Sequence, residues 1–238
     1  MKPQFVLSIL LIIVAAPDPA KATNFTTLRQ QALELGQLTD PPAVHEASGF
    51  TVDGQIKPIF YDALPWKDKP TRVFAWLGIP DGQTEKVPGI VLVHGGGGTA
   101  FKEWVAKWNE HGFAAISIAV EGQTDQTKPN GKRGNRWTSH QWAGPARVGI
   151  FADSDEPLQD QWIYHARADT VLANSLLRSL PEVDPDKVGV MGISWGGVVT
   201  STVIGLDDRF AFAIPTYGCG HLFDAGNQWG RALGDNQI

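Results

Sequence analysis

The segment Gly192-Ile193-Ser194-Trp195-Gly196-Gly197 places a serine between closely spaced glycines. It follows an apolar run and precedes a helical pattern, and this strand-turn-helix setting is typical of a nucleophile elbow. Side chains at 192 or 196 would strike neighbouring backbone in so sharp a turn, so glycine is required there. The spacing therefore predicts Ser194 as the nucleophile of an acyl transfer reaction. The alternative is a glycine-rich turn with an incidental serine.

A second glycine-rich segment, His94-Gly95-Gly96-Gly97-Gly98, comes directly after another apolar run. Its backbone N–H groups are candidates for an oxyanion hole, with one donor from Gly95 or Gly96 and the other from Trp195. A phosphate-binding loop is the alternative, but that loop needs a following Lys and Ser/Thr that are absent here. We expect His94 to hold the loop, because the catalytic base follows the serine in this layout.

The elements that must position these two segments alternate along the chain. Short apolar runs predict buried strands, and stretches with apolar residues at helical spacing predict helices between them. Alternating strands and helices require crossover connections, so we expect an α/β fold with a mainly parallel sheet and helices on both faces. The predicted strands cover 56–61, 72–79, 89–93, 113–120, 187–193 and 210–215, and the predicted helices cover 100–111, 161–180 and 195–206.

From about Arg72 to Tyr217 the chain resembles the α/β-hydrolase superfamily. The HGGGG segment, the segment 183–188 and GISWGG resemble its acetyl xylan esterase and prolyl oligopeptidase-like branches. Dienelactone hydrolases are similar in shape, but their nucleophile is a cysteine where this elbow has Ser194. The resemblance implies an α/β-hydrolase fold, a serine hydrolase without a cofactor, and the chain order serine, acid, histidine.

The remaining catalytic groups depart from that order. Only 44 residues follow Ser194, and no later strand and helix is predicted to present an acid and a base. His221 is a candidate base, although it precedes Asp224 by only three residues. We therefore expect a domain that is incomplete at its C-terminus and ends before the acid and the base. The candidate groups after the serine are Asp207, Asp208, His221, Asp224 and Asp235.

Three functions are compatible with these residues. The first is a secreted ester hydrolase that acts on a small-molecule or polysaccharide ester, such as a carbohydrate acetyl ester. The second is a prolyl oligopeptidase-like serine peptidase, which usually carries a large propeller domain for which the residues before Arg72 are too few. The third is a non-catalytic binding protein or inactive fragment that lacks the triad Asp and His.

The N-terminus predicts export. Lys2 is followed by an apolar run over 5–16 and by Ala20-Lys21-Ala22, a small-x-small cleavage pattern. This combination is typical of a signal peptide, whereas a membrane span needs about 20 apolar residues. We expect a signal peptide over 1–22, a secreted or periplasmic location, and no stable membrane insertion after cleavage. A leader segment over 23–48 and a hydrolase domain over 49–238 would follow.

Composition limits the partners. The formal net charge is -5 and no block of like charges stands out, which argues against a nucleic-acid partner, since phosphate binding needs clustered Lys and Arg. The histidines show no ligand spacing, so we expect no metal site. The stretch from about 121 to 160 fits no regular element and is expected to be a loop insertion over the sheet edge. In it Glu121 is a candidate to line the pocket, and Trp137 and Trp142 are candidates to stack on sugar rings, with core or rim packing as the alternative.

Overall fold

The structure, a computed structural model, describes residues 19–132, 135–218, 220–222, 224 and 226–235. Most of the predicted signal peptide, residues 1–18, lies outside the described residues, as does Cys219. Within the described part of the chain, no helix is long and apolar enough to cross a membrane.

A seven-stranded mixed sheet forms the centre of the fold, with the strand order β1-β2-β3-β5-β4-β8-β9. The strands from β1 to β5 along this order pair antiparallel, and those from β5 to β9 pair parallel. A separate two-stranded antiparallel hairpin is formed by β6 and β7. The strands are β1 (Val44–Glu46), β2 (Ile56–Trp66), β3 (Lys69–Gly78), β4 (Val87–Val93), β5 (Ala114–Ile118), β6 (Gln123–Thr127), β7 (Trp137–Ser139), β8 (Val183–Ile193) and β9 (Phe212–Thr216).

Helices cover both faces of the sheet. Alternate residues of β4 show this, since Val91 and Val93 belong to a core cluster with α3 and α4, whereas Ile90 and Leu92 belong to a second cluster with α2. A strand buried on both faces reads as a continuous apolar run, which is why β4 is recognisable in the sequence. The helices are α1 (Pro19–Glu34), α2 (Lys102–Glu110), α3 (Trp162–Ser179), α4 (Trp195–Val203) and α5 (Gln228–Asp235), and Leu35–Gln37 and Leu158–Asp160 form short 3-10 turns.

This architecture confirms the predicted α/β class with helices on both faces. The sheet is mixed rather than uniformly parallel, and its parallel half carries the two glycine-rich segments. Those segments follow β4 and β8, which are parallel neighbours with Val93 opposite Gly192. The carboxyl ends of adjacent parallel strands meet at one edge, so the fold brings the two segments together.

Two regions differ from the expectations. The stretch from 121 to 160 was predicted to lack regular structure, yet it contains the β6–β7 hairpin and a 3-10 turn. The predicted leader is partly integrated into the domain, because β1 pairs with β2, Leu35 is buried, and Ser175 Oγ donates to the carbonyl of Leu38 at 2.6 Å. Strands of three to five mostly polar residues give little periodic signal, so tertiary pairing decides them.

Candidate active site

Ser194 lies at the turn between β8 and α4 in a left-handed conformation, with φ 56° and ψ -115°. Its side chain is exposed at the carboxyl edge of the sheet. Non-glycine residues rarely occupy positive φ, and such strain persists only where the surrounding structure imposes it. The backbone of Ser194 therefore has the conformation expected of a nucleophile elbow.

The surrounding glycines impose that conformation. A Cβ atom at Gly192 would collide with the carbonyl of Gly196, and one at Gly196 would collide with the carbonyl of Val93. A Cβ at Gly197 would collide with the carbonyl of Tyr217. Each of these contacts is with backbone, which cannot move aside as a flexible side chain can. The three glycines are thus required by close packing of the elbow against the neighbouring strands.

The end of β9 closes the elbow from the other side. The backbone N–H of Ser194 donates to the carbonyl of Thr216 at 2.7 Å. Gly218 follows at φ 64°, where an added Cβ would lie 2.5 Å from the Ser194 carbonyl. The residues after β9 therefore pass directly beside the serine.

The glycine loop after β4 faces Ser194. An ideal Cβ on Gly95 would lie 3.3 Å from the Cβ of Ser194, and one on Gly96 would lie 2.6 Å from Cδ1 of Trp195. Trp195 is the first residue of α4, so its N–H is one of the first-turn amides that have no acceptor within the helix. The structure thus brings together Ser194, Gly95, Gly96 and Trp195, the four residues predicted for the nucleophile and its oxyanion hole.

His94 holds the loop from beneath. Its ring is buried, with Nδ1 2.7 Å from the carbonyl of Gly95, and Nε2 accepts the N–H of Val120 at 3.0 Å. These contacts fit a neutral imidazole that donates from Nδ1 and accepts at Nε2. Burial lowers the pKa of His94, which favours that neutral form. Since both nitrogens are engaged, His94 acts as a positioning residue for the loop.

A second set of side chains fixes Gly97. Both carboxylate oxygens of Glu121 accept the N–H of Gly97 at 3.2 Å, and Arg147 Nε donates to Glu121 Oε1 at 2.9 Å. On the other side, Trp137 Nε1 donates to the carbonyl of Gly97 at 3.0 Å, and Gln123 Nε2 donates to Gly98. The sequence indicated Glu121 as a pocket residue. It gave no sign of Arg147, which comes from the irregular part of the insertion.

An aromatic cluster supports the Trp195 side chain. The ring centroids of Trp229, Trp162 and Phe151 lie 4.1, 5.2 and 5.4 Å from that of Trp195. The Arg147 guanidinium lies 5.1 Å from the same ring. Of the two tryptophans proposed to stack on sugar, Trp142 packs against Phe60 with centroids 5.4 Å apart, whereas Trp137 lies beside the glycine loop. The cluster holds the start of α4, and with it the N–H of Trp195, one of the two predicted oxyanion donors.

The structure does not join Ser194 to a base. Within the described ranges, the Ser194 Oγ has no hydrogen-bond partner. His221 follows β9 with its side chain 84% exposed, and its Nδ1 lies 3.4 Å from Asp224 Oδ2. The candidate base is therefore on the segment that passes the serine, beside the acid three residues later.

The other candidate acids have different environments. Asp207 is buried and accepts hydrogen bonds from Asn174 at 2.9 Å and from Arg209 at 2.7 Å and 2.8 Å. These bonds lower the pKa of Asp207 against the opposing effect of burial. Asp207 therefore links α3 to the residues before β9 as a structural carboxylate. Asp208 is exposed and Asp235 ends α5.

The remaining features to describe are the possible metal ligands and the cavities. Of the residues that the structure describes, no group of three or more His, Cys, Asp or Glu could hold a metal ion. A cavity of about 720 Å³ lies at the amino ends of the parallel strands, between 79–86 and 180–182, away from Ser194. A smaller cavity of about 130 Å³ adjoins Gly97 and the β6–β7 hairpin.

Known proteins share both sequence and fold with this chain. The sequence model of the family described as Acetyl xylan esterase (AXE1) matches residues 56–223. No curated protein sequence matches the chain significantly.

Two solved structures show the same fold. Acetyl xylan esterase 1 from Thermoanaerobacterium sp. JW/SL YS485 has a TM-score of 0.61 and 21% identity, over 90% of this chain and 67% of its own. An acetyl xylan esterase from Paenibacillus sp. R4 has a TM-score of 0.61 and 21% identity, over 89% and 66%. The chain thus spans about two thirds of the length of each of these proteins.

Proposed function

Because this chain belongs to the acetyl xylan esterase family, we propose that it is a hydrolase of carboxylic esters that acts through an acyl intermediate on Ser194. Membership of this family confirms the resemblance that HGGGG and GISWGG indicated. The observation that carries the proposed mechanism is the conformation of Ser194, which is held at φ 56° opposite Gly95. A serine needs no such strain for a structural role, so the geometry supports a nucleophile.

In the proposed reaction the Ser194 Oγ attacks the ester carbonyl and loses its proton to a general base. The carbonyl oxygen becomes an oxyanion, which the N–H of Trp195 and that of Gly95 or Gly96 stabilise. The C–O bond to the alcohol then breaks, and the alcohol leaves with the proton from the base. Water attacks the acyl-serine in the same way and releases the carboxylic acid.

The oxyanion donors account for much of the expected rate. Loss of one such donor typically costs about 3 kcal/mol of transition-state stabilisation. Their value depends on being fixed before the reaction, and here His94 and Glu121 hold the glycine loop while the aromatic cluster holds Trp195. The contacts behind the loop are therefore part of the proposed catalytic machinery.

The general base is proposed on the segment after β9. His221 is the histidine that the chain carries there, and Asp224 lies within 3.4 Å of its Nδ1. An acid beside Nδ1 would orient the ring and stabilise its protonated form, as the third member of a triad does. The segment passes Ser194 at Gly218, which is three residues before His221.

The substrate proposed is an acetyl ester of a carbohydrate. The family name supports this class, and the apolar run over 5–16 supports a secreted or periplasmic enzyme that meets polysaccharide outside the cell. A prolyl oligopeptidase-like peptidase is the alternative among hydrolases. A non-catalytic binding protein is the alternative favoured by one observation, namely that the Ser194 Oγ has no hydrogen-bond partner among the described residues.

Hydrolysis of small chromogenic substrates tests the proposal. The purified chain is assayed with 4-nitrophenyl acetate and with a prolyl 4-nitroanilide, beside Ser194→Ala and the matched control Ser201→Ala. Ser201 lies on the same helix, and its buried hydroxyl has no partner in the described part of the chain. We expect turnover of the acetyl ester that is lost in Ser194→Ala and kept in Ser201→Ala. Turnover of the anilide alone would support the peptidase, and a folded chain without Ser194-dependent turnover would support the binding protein.

A further inference from the structure

The smaller cavity lies against the glycine loop on the side of the β6–β7 hairpin. Its volume is about 130 Å³, several times the roughly 30 Å³ that one water molecule occupies in the liquid. Gly97 and Glu121 form the wall next to the loop, and Lys128, Arg136 and Arg147 contribute three cationic side chains. We refer to it as the cationic cavity.

The charges in the cationic cavity do not balance. Arg147 is paired with Glu121, but Lys128 and Arg136 have no carboxylate within 4.0 Å among the described residues. Lys128 Nζ donates to the neutral Asn135 at 2.6 Å, and the Arg136 guanidinium lies 4.8 Å from the Trp137 ring. The cavity therefore carries an excess of positive charge.

The excess of positive charge in this cavity contrasts with the formal net charge of the chain, which is -5. Acidic partners are found for exposed cations elsewhere on the surface, such as Asp53 for Lys102 and Glu110 for Lys107. Positive charges that converge on a concave surface raise the local concentration of anions. Arg136 also offers a planar fork of donors that matches the geometry of a carboxylate.

The cationic cavity is close enough to Ser194 to contact the same substrate. An ideal Cβ on Gly95 would lie 3.3 Å from the Cβ of Ser194, and Gly97 is two residues further along the loop. Consecutive Cα atoms are about 3.8 Å apart, so the cavity wall begins within roughly 8 Å of the residue that touches the serine. Between the two, an ideal Cβ on Gly96 would lie 2.7 Å from Arg147 Nη2. A saccharide with its ester carbonyl in the oxyanion hole would reach across this distance.

We propose that the cationic cavity binds an anionic group, the carboxylate of a uronic acid, on the alcohol part of the substrate. The acyl part is a methyl group in the proposed reaction, so a charged subsite must contact the sugar. The chain would then prefer acetyl esters of acidic saccharides over those of neutral ones. This inference rests on the proposed esterase function, and it specifies that the substrate carries a negative charge.

Binding of two matched glycosides tests the cationic cavity without any turnover. Methyl β-glucuronide and methyl β-glucoside differ by a carboxylate in place of a hydroxymethyl group, and each is titrated into the chain by NMR at low salt. We expect the glucuronide to bind about fivefold more tightly, as a partly exposed charge contact provides. Added salt should reduce this preference. Equal affinities in the unmodified chain would overturn the proposal.

Substitutions test whether the cationic cavity causes the preference for the glucuronide. Lys128→Gln combined with Arg136→Gln should remove it, whereas Lys107→Gln, an exposed cation on α2, should leave it unchanged. A preference that survives the double variant would overturn the assignment to this cavity. Tighter binding of methyl glucoside 6-sulfate than of the glucuronide would overturn the assignment to a carboxylate.

Acetylated forms of both glycosides separate this inference from the proposed function. Faster release of acetate from the acidic glycoside, lost in the double variant, would support both. Equal release from the two would overturn the cavity proposal and leave the esterase intact. Absence of release from either glycoside and from 4-nitrophenyl acetate, together with selective binding of the glucuronide, would support the cavity and contradict the esterase.

Discussion

Ser194 has a conformation that its neighbours impose. A residue at positive φ outside glycine costs of order 1–3 kcal/mol, and that cost must be offset by surrounding contacts. Here the offset comes from Gly192, Gly196 and Gly197, whose bare Cα atoms let three backbone carbonyls approach the turn. The stability of the elbow is therefore sensitive to the smallest possible side chain at these positions.

Gly197→Ala tests this sensitivity. The new methyl group would collide with the carbonyl of Tyr217, so the end of β9 must shift away from α4. We expect a loss of about 1–3 kcal/mol in the free energy of unfolding, as is typical of overpacking. Urea denaturation followed by circular dichroism measures it. Gly226→Ala is the control, since a Cβ there meets nothing within 4 Å. Equal stability of the two variants would contradict the packing described.

His140 predicts a pH dependence of stability. Both ring nitrogens are buried without a partner in the described part of the chain, and burial lowers the pKa of His140 from 6.5 to about 4. The unfolded chain binds a proton on His140 more readily than the folded chain does. The contribution of the neutral His140 ring to the free energy of unfolding is therefore complete above pH 6.5 and is lost as the pH falls toward 4. A difference of one in pKa corresponds to about 1.4 kcal/mol, and partial exposure of the ring screens the effect. We therefore expect the free energy of unfolding to fall by about 2 kcal/mol over this pH range.

Denaturation at several pH values, compared with His140→Phe, isolates this effect from that of the carboxylates. The difference in unfolding free energy between the two proteins should change between pH 7 and 4.5. His111→Gln, at an exposed histidine, is the control and should parallel the unmodified chain. A constant difference between His140→Phe and the unmodified chain would show that His140 does not titrate in this range.

Residue types and spacing were sufficient to predict the elbow at Ser194 and the glycine loop opposite it, because such a sharp turn constrains the sequence locally. They were not sufficient for Arg147. Its partner Glu121 is 26 residues away along the chain, and its contact with the loop depends on how the insertion folds. Long-range pairs in irregular segments leave no periodic trace.

At the level of elements, helix α5 packs against the domain through the aromatic ring of Trp229. It has only eight residues, and isolated helices of this length are marginal in water. Its Trp229 packs on Trp195 with ring centroids 4.1 Å apart and on Phe151 at 6.0 Å. The start of α4, and hence the proposed oxyanion donor Trp195, therefore depends on a helix that follows β9.

Trp229→Ala tests that dependence. Removal of the ring leaves Trp195 without its nearest aromatic neighbour, so we expect a loss of about 2–4 kcal/mol in unfolding free energy. Denaturation monitored by tryptophan fluorescence and by circular dichroism measures it. Gln228→Ala, at the exposed preceding residue of the same helix, should change little. A loss below about 0.5 kcal/mol in Trp229→Ala would contradict a supporting role for α5.

The elements that the sequence predicted are those with long apolar or helical patterns, such as β4 and α3. Several of the elements that it missed are short. β6 reads Gln-Thr-Asp-Gln-Thr, which has no alternation of apolar and polar residues, and β1 has three residues. Their pairing is decided by the tertiary structure around them, which a local pattern does not encode.

The whole molecule has two sheet edges of different character. β1 is an edge of three residues, whereas β9 pairs with β8 alone among the described strands and exposes 39% of Ile214. An exposed apolar edge strand is a template for pairing with another chain. The purified chain should therefore self-associate through β9.

Ile214→Lys tests the edge, because a charge on an edge strand opposes pairing between chains. Sedimentation velocity over a range of concentrations should show oligomers of the unmodified chain and a shift toward monomer in this variant. Val44→Lys, on the β1 edge, is the matched control and should not shift the distribution. A monomer at all concentrations would contradict the prediction.

For the whole molecule, trapping the acetylated intermediate tests whether Ser194 is the nucleophile of the proposed reaction. The chain is mixed with excess 4-nitrophenyl acetate, quenched in acid during turnover and analysed by mass spectrometry of its peptides. We expect one acetyl group on the peptide that contains Ser194, and none on that peptide in Ser194→Ala. An acetyl group on a different residue during Ser194-independent turnover, or a folded chain that neither turns over the ester nor carries an acetyl group, would contradict it.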